Sequence, residues 1–301
     1  MRRSIRLGNA ASVVVDARSS TATVRSVGEQ GRPTIILCGG RGTRIGEVNP
    51  LIPKPMLPIG PRPILWHIMK TYASHGVTDF TLALGWLGHE IRRWVLYHHT
   101  LTSDFTVEFG RPGAIDYHGP HPEAGWRVSC VDTGVDSLTG TRTRQAALRL
   151  DDGPILVSYG DCVSDVDVTA LLAFHRGHGR LATITAVRPP GRFGELSLDG
   201  DRVVDFSEKP ATSAGSINGG YMVFEREALL RYIPADEDVT LEREPMSALA
   251  SDGELMAWQH HGFWQPMDTR REHTQLEVMW DTGQAPWKVW EDPPPAASHP
   301  S

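Results

Sequence analysis

The chain has 301 residues, 40% of them hydrophobic, enough for one large domain or one domain with a subdomain. Its formal net charge of −6 gives no support to a nucleic-acid role, and no apolar stretch approaches the length of a membrane span. Three widely separated cysteines, Cys38, Cys130 and Cys162, with no CxxC pair, argue against a disulfide scaffold or a structural zinc site and fit a reducing cytoplasm.

Residues 1–32 are rich in Arg, Ser, Ala and Gly, with one short apolar run at 13–15. They lack the apolar core of a secretory signal and read as a flexible extension, a weak extra strand being the alternative. Residues 35–38 read as a buried strand. It ends in Gly39, Gly40 and Gly42, interleaved with Arg41 and followed by Thr43 and Arg44; Lys54 comes later, between Pro53 and Pro55. Glycines let backbone amides approach a ligand closely and form an anion-binding nest. Arg41, Arg44 and Lys54 would concentrate positive charge locally on an acidic chain. The two prolines preset the backbone around Lys54 and reduce the entropy lost on ordering it, which a solvated lysine does not need. The bland alternative is a tight turn after a strand. A P-loop requires G-x-x-x-x-G-K-[ST], which is absent, and Ile45 stands where G-x-G-x-x-G requires its third glycine.

The apolar spacing of residues 63–74 predicts a helix closed by His75-Gly76. A strand is predicted over 80–84, a helix over 89–98 with Ile91, Trp94 and Val95 inward, and strands over 105–109 and 126–131. A helix over 141–150 precedes a buried strand over 154–159 that ends in Tyr159-Gly160-Asp161. A helix over 168–178 stops at Gly179, and a strand follows over 182–187. Two alternating runs around Asp199-Gly200 predict a hairpin between 194 and 206. Beyond it come a strand near 221–224 and helices near 226–232 and 241–251. Strand–helix alternation predicts an α/β fold, a doubly wound, mostly parallel sheet with a small β-rich C-terminal part. Ligands of such sheets sit at the carboxyl ends of strands. If strands 35–38 and 154–159 are both central, the glycine loop and Asp161 face one crevice. The domain therefore spans 33–291, and the Pro/Ala/Ser tail 292–301 reads as disordered.

Two phosphate anions repel each other strongly inside a protein, so a site that joins them needs a divalent cation and fixed positive charge. Asp161 suits a hard cation such as Mg2+, and Asp268, in Phe263-Trp-Gln-Pro-Met-Asp268, is a partner ligand. Lys209, braced by Pro210, suits a second phosphate; Asn218-Gly219-Gly220 offers an amide and open backbone for hydroxyls. Each has a plainer alternative: helix caps for Asp161 and Asp268, a solvated turn for Lys209, a hairpin turn for Asn218-Gly219, core or lid for the tryptophans. No histidine motif accompanies Cys162, which argues against a thiol nucleophile. The thirteen histidines are scattered, and the adjacent pairs His98-His99 and His260-His261 are not helix-spaced ligand pairs.

Further motifs join these: Pro63-Ile-Leu-Trp-His-Ile-Met-Lys70, Val131-Asp-Thr-Gly134, Pro189-Pro-Gly-Arg-Phe-Gly194, Glu208-Lys-Pro210, Glu242-Arg-Glu-Pro245, Gly253-Glu-Leu-Met-Ala257, Gly262-Phe-Trp-Gln-Pro-Met-Asp-Thr269 and Ala285-Pro-Trp-Lys-Val-Trp290. Together, over roughly 33–291, they resemble the sugar-phosphate nucleotidylyltransferases, and within them the glucose-1-phosphate cytidylyltransferase branch. The resemblance implies a Rossmann-like nucleotidyltransferase fold and an in-line, Mg2+-dependent reaction of CTP with α-D-glucose 1-phosphate to give CDP-glucose and pyrophosphate. It implies nucleotide contacts from Gly39, Gly40, Arg41, Gly42, Thr43, Arg44, Ser137, Arg142 and Gly160, and catalysis by Arg44, Lys54 and Asp161. Glu208, Lys209, Asn218 and Gly219 would meet the sugar phosphate, and Asp161 and Asp268 would hold Mg2+. A cytoplasmic homo-oligomer is also implied, with the aromatic-rich stretch 280–290 packing between subunits, and neither nucleic acid nor membrane as partner. Cys38 replaces the family's alanine, Cys162 replaces a glycine, Thr141 sits where glycine is common, and 112–125 matches poorly. UTP, dTTP or another hexose 1-phosphate, or a non-catalytic sugar-nucleotide-binding subunit, are the competing readings; Arg44, Lys54, Asp161 and Asp268 are all retained, which favours an enzyme.

Overall fold

The computed structural model describes residues 4–7, 11–14, 32–42, 51–111, 113–189, 195–199, 202–207 and 215–291. Seven strands form the main sheet: β1 (Pro33–Cys38), β2 (Asp79–Leu84), β3 (Arg127–Asp132), β4 (Pro154–Tyr159), β5 (Ala182–Val187), β6 (Ile217–Glu225) and β7 (Leu255–Gln259). Their order across the sheet is β7-β5-β6-β4-β1-β2-β3. All neighbours are parallel except β6, which runs antiparallel to both β4 and β5.

The sequence builds this sheet by placing apolar side chains on both faces of each central strand, as a doubly covered parallel sheet requires. Ile36, Leu82, Leu156 and Val223 belong to one apolar layer; their chain neighbours Ile35, Ala83, Val157 and Met222 belong to the other. Helices α1 (Ile64–Ser74), α2 (Gly88–Thr102), α4 (Val168–His178) and α7 (Arg270–Asp281) contribute to the first layer. Helices α3 (Thr139–Ala147), α5 (Arg226–Tyr232) and α6 (Glu244–Ser251) contribute to the second. The predicted doubly wound α/β fold is the one observed.

What matters for function is that β1 and β4 are parallel neighbours, with Leu37 opposite Tyr159. The chain therefore leaves both strands at one edge, and Gly160 N–H donates to Leu37 O at 3.1 Å just beyond it.

Several local expectations change. Asn218-Gly219-Gly220 is not a turn; it lies inside β6, where the register against β5 shifts between Ile184 and Ala186. The 105–109 strand is the short ribbon Phe105–Val107 paired with Ile115–Tyr117. The hairpin flanking position 200 is present as Glu195–Asp199 with Arg202–Ser207. In the N-terminal extension, Ser4–Leu7 pairs with Ala11–Val14; the tail 292–301 lies outside the described residues. The aromatic stretch 280–290 turns inward within the chain: Trp287 is fully buried and stacks on Phe263, and Trp290 packs edge-on against Trp66. Among the described residues no helix is long and apolar enough to cross a membrane.

His67, on α1, shows how tightly this packing constrains protonation. Trp287 Nε1 can only donate, and it meets His67 Nδ1 at 3.3 Å; His67 Nε2 lies 2.9 Å from Ile59 O, so the ring proton is on Nε2. Burial pushes the His67 pKa from 6.5 to about 4. The unfolded chain thus binds the extra proton first, and the stability that neutral His67 contributes is complete above pH 6.5 and lost as pH falls toward 4. Between pH 7.5 and 5 this group alone should cost about 2 kcal/mol. Urea denaturation at the two pH values checks it, with a smaller difference expected in His67→Gln. The difference should not vanish, because His175 is likewise pushed to about 4 by burial.

Candidate active site

The loop after β1 owes its shape to two glycines. A Cβ on buried Gly39 would lie 2.2 Å from the Arg142 guanidinium, and Gly42 has φ +58°, a left-handed conformation that side chains rarely adopt. Exposed Gly40 has nothing within 4 Å of a Cβ position, so its backbone faces open space. Arg142, on α3, reaches across: its guanidinium donates to Leu84 O, Thr133 Oγ1, Gly134 O, Gly39 O and Val135 O. Arg142 also lines the cleft beside the glycine loop, so a bracing role stands beside the nucleotide contact that the resemblance implies. Its NH1 and NH2 groups brace the glycine loop to the 133–135 loop. Arg41 repeats that link at the surface, at 2.7 Å from Asp136.

Lys54 opens a single 3-10 turn, Lys54–Met56, between Pro53 and buried Pro55. Its Nζ lies 2.6 Å from Asp161 Oδ2 and 2.5 Å from Asp268 Oδ1. Burial alone would lower its pKa, but the two carboxylates outweigh burial and hold it above its ordinary value. The aspartates meet because the short strands Cys162–Ser164 and Trp264–Pro266 pair, with Cys162 opposite Pro266, and Met267 N–H donates to Asp161 O at 2.8 Å. Neither aspartate is a helix cap. Asp167 caps α4, and Thr269 caps α7 in a capping box with Glu272. The Asp268 carboxylate instead points at Lys54.

Two carboxylates that share one ammonium lie close enough to share another cation, and the ammonium offsets only one of their two negative charges. The donor set is hard oxygen, which suits a divalent ion of the Mg2+ type. On geometry and chemistry Asp161 and Asp268 fit the metal role that the sequence suggests.

Glycine loop, Lys54 and Asp161 border one cleft of about 440 Å³, whose other wall carries Ser137, Leu138 and Thr139. Tyr159 lines it too, and with it a network that the sequence did not announce. Tyr159 OH donates to Glu242 Oε1 at 2.5 Å, Thr139 Oγ1 donates to Glu242 Oε2 at 2.6 Å, and Asn218 Nδ2 donates to Tyr159 OH at 3.2 Å. Burial, reinforced by the adjacent Glu242 carboxylate, pushes the Tyr159 pKa up and keeps the phenol protonated. Asn218 is thus half-buried and engaged with Tyr159, and Gly219 O accepts the Trp264 indole N–H at 2.7 Å. Cys162 is fully buried with its thiol pKa pushed well up by burial, which removes the nucleophile reading. Nor does it replace a strained glycine, since Leu87 is the only non-glycine with positive φ among the described residues. Thr43, Arg44, Glu208 and Lys209 lie outside the described residues.

Residues 33–265 match the family described as Nucleotidyl transferase. The chain is 44% identical over 258 residues to a glucose-1-phosphate cytidylyltransferase of Salmonella typhi, covering 85% of this chain and 99% of that protein. It is 40% identical to a probable glucose-1-phosphate cytidylyltransferase of Bacillus subtilis (strain 168), again covering 85% and 99%. Among solved structures, HddC from Yersinia pseudotuberculosis matches with TM-score 0.61 at 18% identity, covering 83% of this chain and 99% of its own. The inositol-1-phosphate CTP transferase from T. maritima matches with TM-score 0.59 at 14% identity, covering 87% and 98%. At those identities the structural likeness speaks for the fold alone.

Proposed function

The chain belongs to the nucleotidyl transferase family, and on that premise we propose that it transfers a cytidylyl group from CTP to α-D-glucose 1-phosphate, giving CDP-glucose and pyrophosphate. The observation that carries this reading is the convergence of Lys54, Asp161 and Asp268 beside the glycine loop, in a chain 44% identical to a glucose-1-phosphate cytidylyltransferase along nearly that protein's whole length.

The sugar phosphate is already an anionic nucleophile at neutral pH, so no general base is needed. One of its oxygens attacks the α-phosphorus of CTP as the bond to pyrophosphate breaks, and the electron pair leaves with pyrophosphate. Backbone amides of Gly40 and Gly42, with Arg44, would hold the triphosphate. Lys54 would offset charge at the α-phosphate as it changes hands. Glu208, Lys209, Asn218 and Gly219 would receive the sugar phosphate. A divalent ion on Asp161 and Asp268, Mg2+ in this reading, would supply charge neutralisation between the two phosphoesters. Catalysis is then positioning and electrostatics, with no covalent enzyme intermediate. Glu242 and Thr139 hold Tyr159 in one orientation against the cleft.

Three free cysteines and nucleotide substrates support a cytoplasmic location. Exposed Leu96, Leu101 and Phe109 support a homo-oligomer, which light scattering would contradict by returning a monomer mass.

Pyrophosphate release over CTP, UTP, dTTP, ATP and GTP, each with several hexose 1-phosphates, tests the substrate assignment. The expected optimum is CTP with glucose 1-phosphate, abolished by chelation of divalent ions. An optimum with dTTP or UTP would overturn the cytidylyl assignment, and release indifferent to chelation would overturn the metal role.

A further inference from the structure

α2 ends at Thr102, and the chain returns through the ribbon Phe105–Val107 and Ile115–Tyr117 to the loop that leads into β3. That return brings His121 and Glu123 against the last turns of α2, where His98 sits. Local sequence spacing gives no hint of this meeting. One ligand atom from each of His98, His121 and Glu123 lies within 4.8 Å of the others. His98 Nε2 and His121 Nδ1 are each 3.4 Å from Glu123 Oε2. A zinc-class ion bound to nitrogen and oxygen at about 2.0–2.1 Å sets tetrahedral ligands about 3.3–3.4 Å apart. Two edges of the triangle therefore already have the length such an ion requires.

The surroundings orient these atoms. Glu123 is 5% exposed, and Trp66 Nε1 donates to its Oε1 at 3.0 Å, leaving Oε2 toward the imidazoles. Thr102 Oγ1 donates to His98 O at 2.7 Å, so it accepts from His121 Nε2 at 3.2 Å. That places the ring proton of neutral His121 on Nε2 and leaves Nδ1 an acceptor, whose one lone pair takes the Glu123 N–H at 3.1 Å until an ion displaces that contact. Nδ1 then has no proton for Oε2. A cation there would take the Nδ1 lone pair from the Glu123 N–H and join two atoms that have no proton to share.

We propose that His98, His121 and Glu123 bind one zinc-class divalent cation, which staples the C-terminal end of α2 to the loop before β3. Two imidazoles and one carboxylate select such an ion over Mg2+. Three protein ligands leave one coordination position open. The cluster stands at the start of β3, whereas the cleft stands at the carboxyl ends of β1 and β4. The ion is therefore remote from the reacting phosphates and distinct from the cation assigned to Asp161 and Asp268, with water completing its shell.

The metal-stripped full chain, titrated with Co2+, tests this through the visible d–d bands of tetrahedral cobalt. One equivalent of band-forming Co2+ per chain is expected, displaced by Zn2+, with a melting temperature raised by about 5 °C in saturating Zn2+. His98→Gln and His121→Gln should each lose the bands, while Asp161→Asn combined with Asp268→Asn should keep them. Pyrophosphate release should be unchanged in His98→Gln. Absent bands in the unaltered chain, bands that survive both histidine substitutions, or bands lost with the aspartates would overturn the site. So would a melting temperature indifferent to Zn2+, which is the result expected if a proton on His121 rather than a metal reconciles the pair. Should a histidine variant fail to fold, the cobalt titration and zinc shift of the unaltered chain decide the matter.

Discussion

Lys54→Ala is expected to lower kcat about 10²–10³-fold, the loss that follows from deleting one preorganised charge opposite a developing phosphoryl anion. The effect should fall mainly on kcat, because the ammonium is placed for charge that grows during transfer, and remote contacts still hold the nucleotide. The same substitution has a second signature. It leaves Asp161 and Asp268 facing each other without the ammonium that each now touches at 2.6 and 2.5 Å. Like charges in a partly buried site repel, so the variant should melt lower than the unaltered chain in chelator, and Mg2+ should raise its melting temperature by more. Steady-state kinetics and thermal melts with and without Mg2+ check both signatures. A change confined to KM, or identical Mg2+ responses in the two proteins, would mean that Lys54 is not the counter-charge of this aspartate pair.

Arg142→Ala is expected to destabilise the fold by about 3 kcal/mol, the scale set by hydrogen bonds from a charged donor and by the acceptors left unpaired when it is removed. Its guanidinium is the common donor to oxygens of Gly39, Leu84, Thr133, Gly134 and Val135; without it Gly134 O and Val135 O lose their donor, while Gly39 O keeps Trp86 N–H and Leu84 O keeps Thr133. Arg142→Lys should not restore stability, since a point ammonium cannot span the two loops that a planar fork joins. Gly39→Ala should also be severe, because its methyl would collide with this guanidinium, and its extra cost should shrink in the Arg142→Ala background. Urea denaturation of the unaltered chain and the four variants checks this. Near-native stability for Arg142→Ala would show that the brace is dispensable.

Much of the fold was legible because its signals were local. β4, β5, α4 and α5 have the bounds that apolar runs and the stop at Gly179 predict. β7 was missed: as an edge strand it is only partly buried and carries no period-two pattern. α3 begins at Thr139, before the apolar positions that mark it in sequence. The site was legible in its parts more than in its assembly. Proline bracing singled out Lys54, and the strand-end position singled out Asp161. That Lys54 touches residues 107 and 214 positions away is set by strand pairing, which no local spacing encodes. The resemblance names Arg142 as a nucleotide contact, but no local pattern shows the carbonyls that its guanidinium also braces. Glu242 stood in a quoted motif, Glu242-Arg-Glu-Pro245, but no role could be read for it, since that depends on Tyr159 and Thr139 arriving from other elements. The tryptophans near the C-terminus looked like a subunit interface, but α1 offers His67 and Trp66 as partners within the chain.

The most direct test is a crystal structure of the full chain with CDP-glucose and Mn2+, a hard cation that anomalous scattering locates in place of Mg2+. The diphosphate should lie against the amides of Gly40 and Gly42 and within reach of Lys54, with one ion held by Asp161 and Asp268. A diphosphate bound elsewhere, or an ion that touches neither aspartate, would contradict the assignment of this cleft.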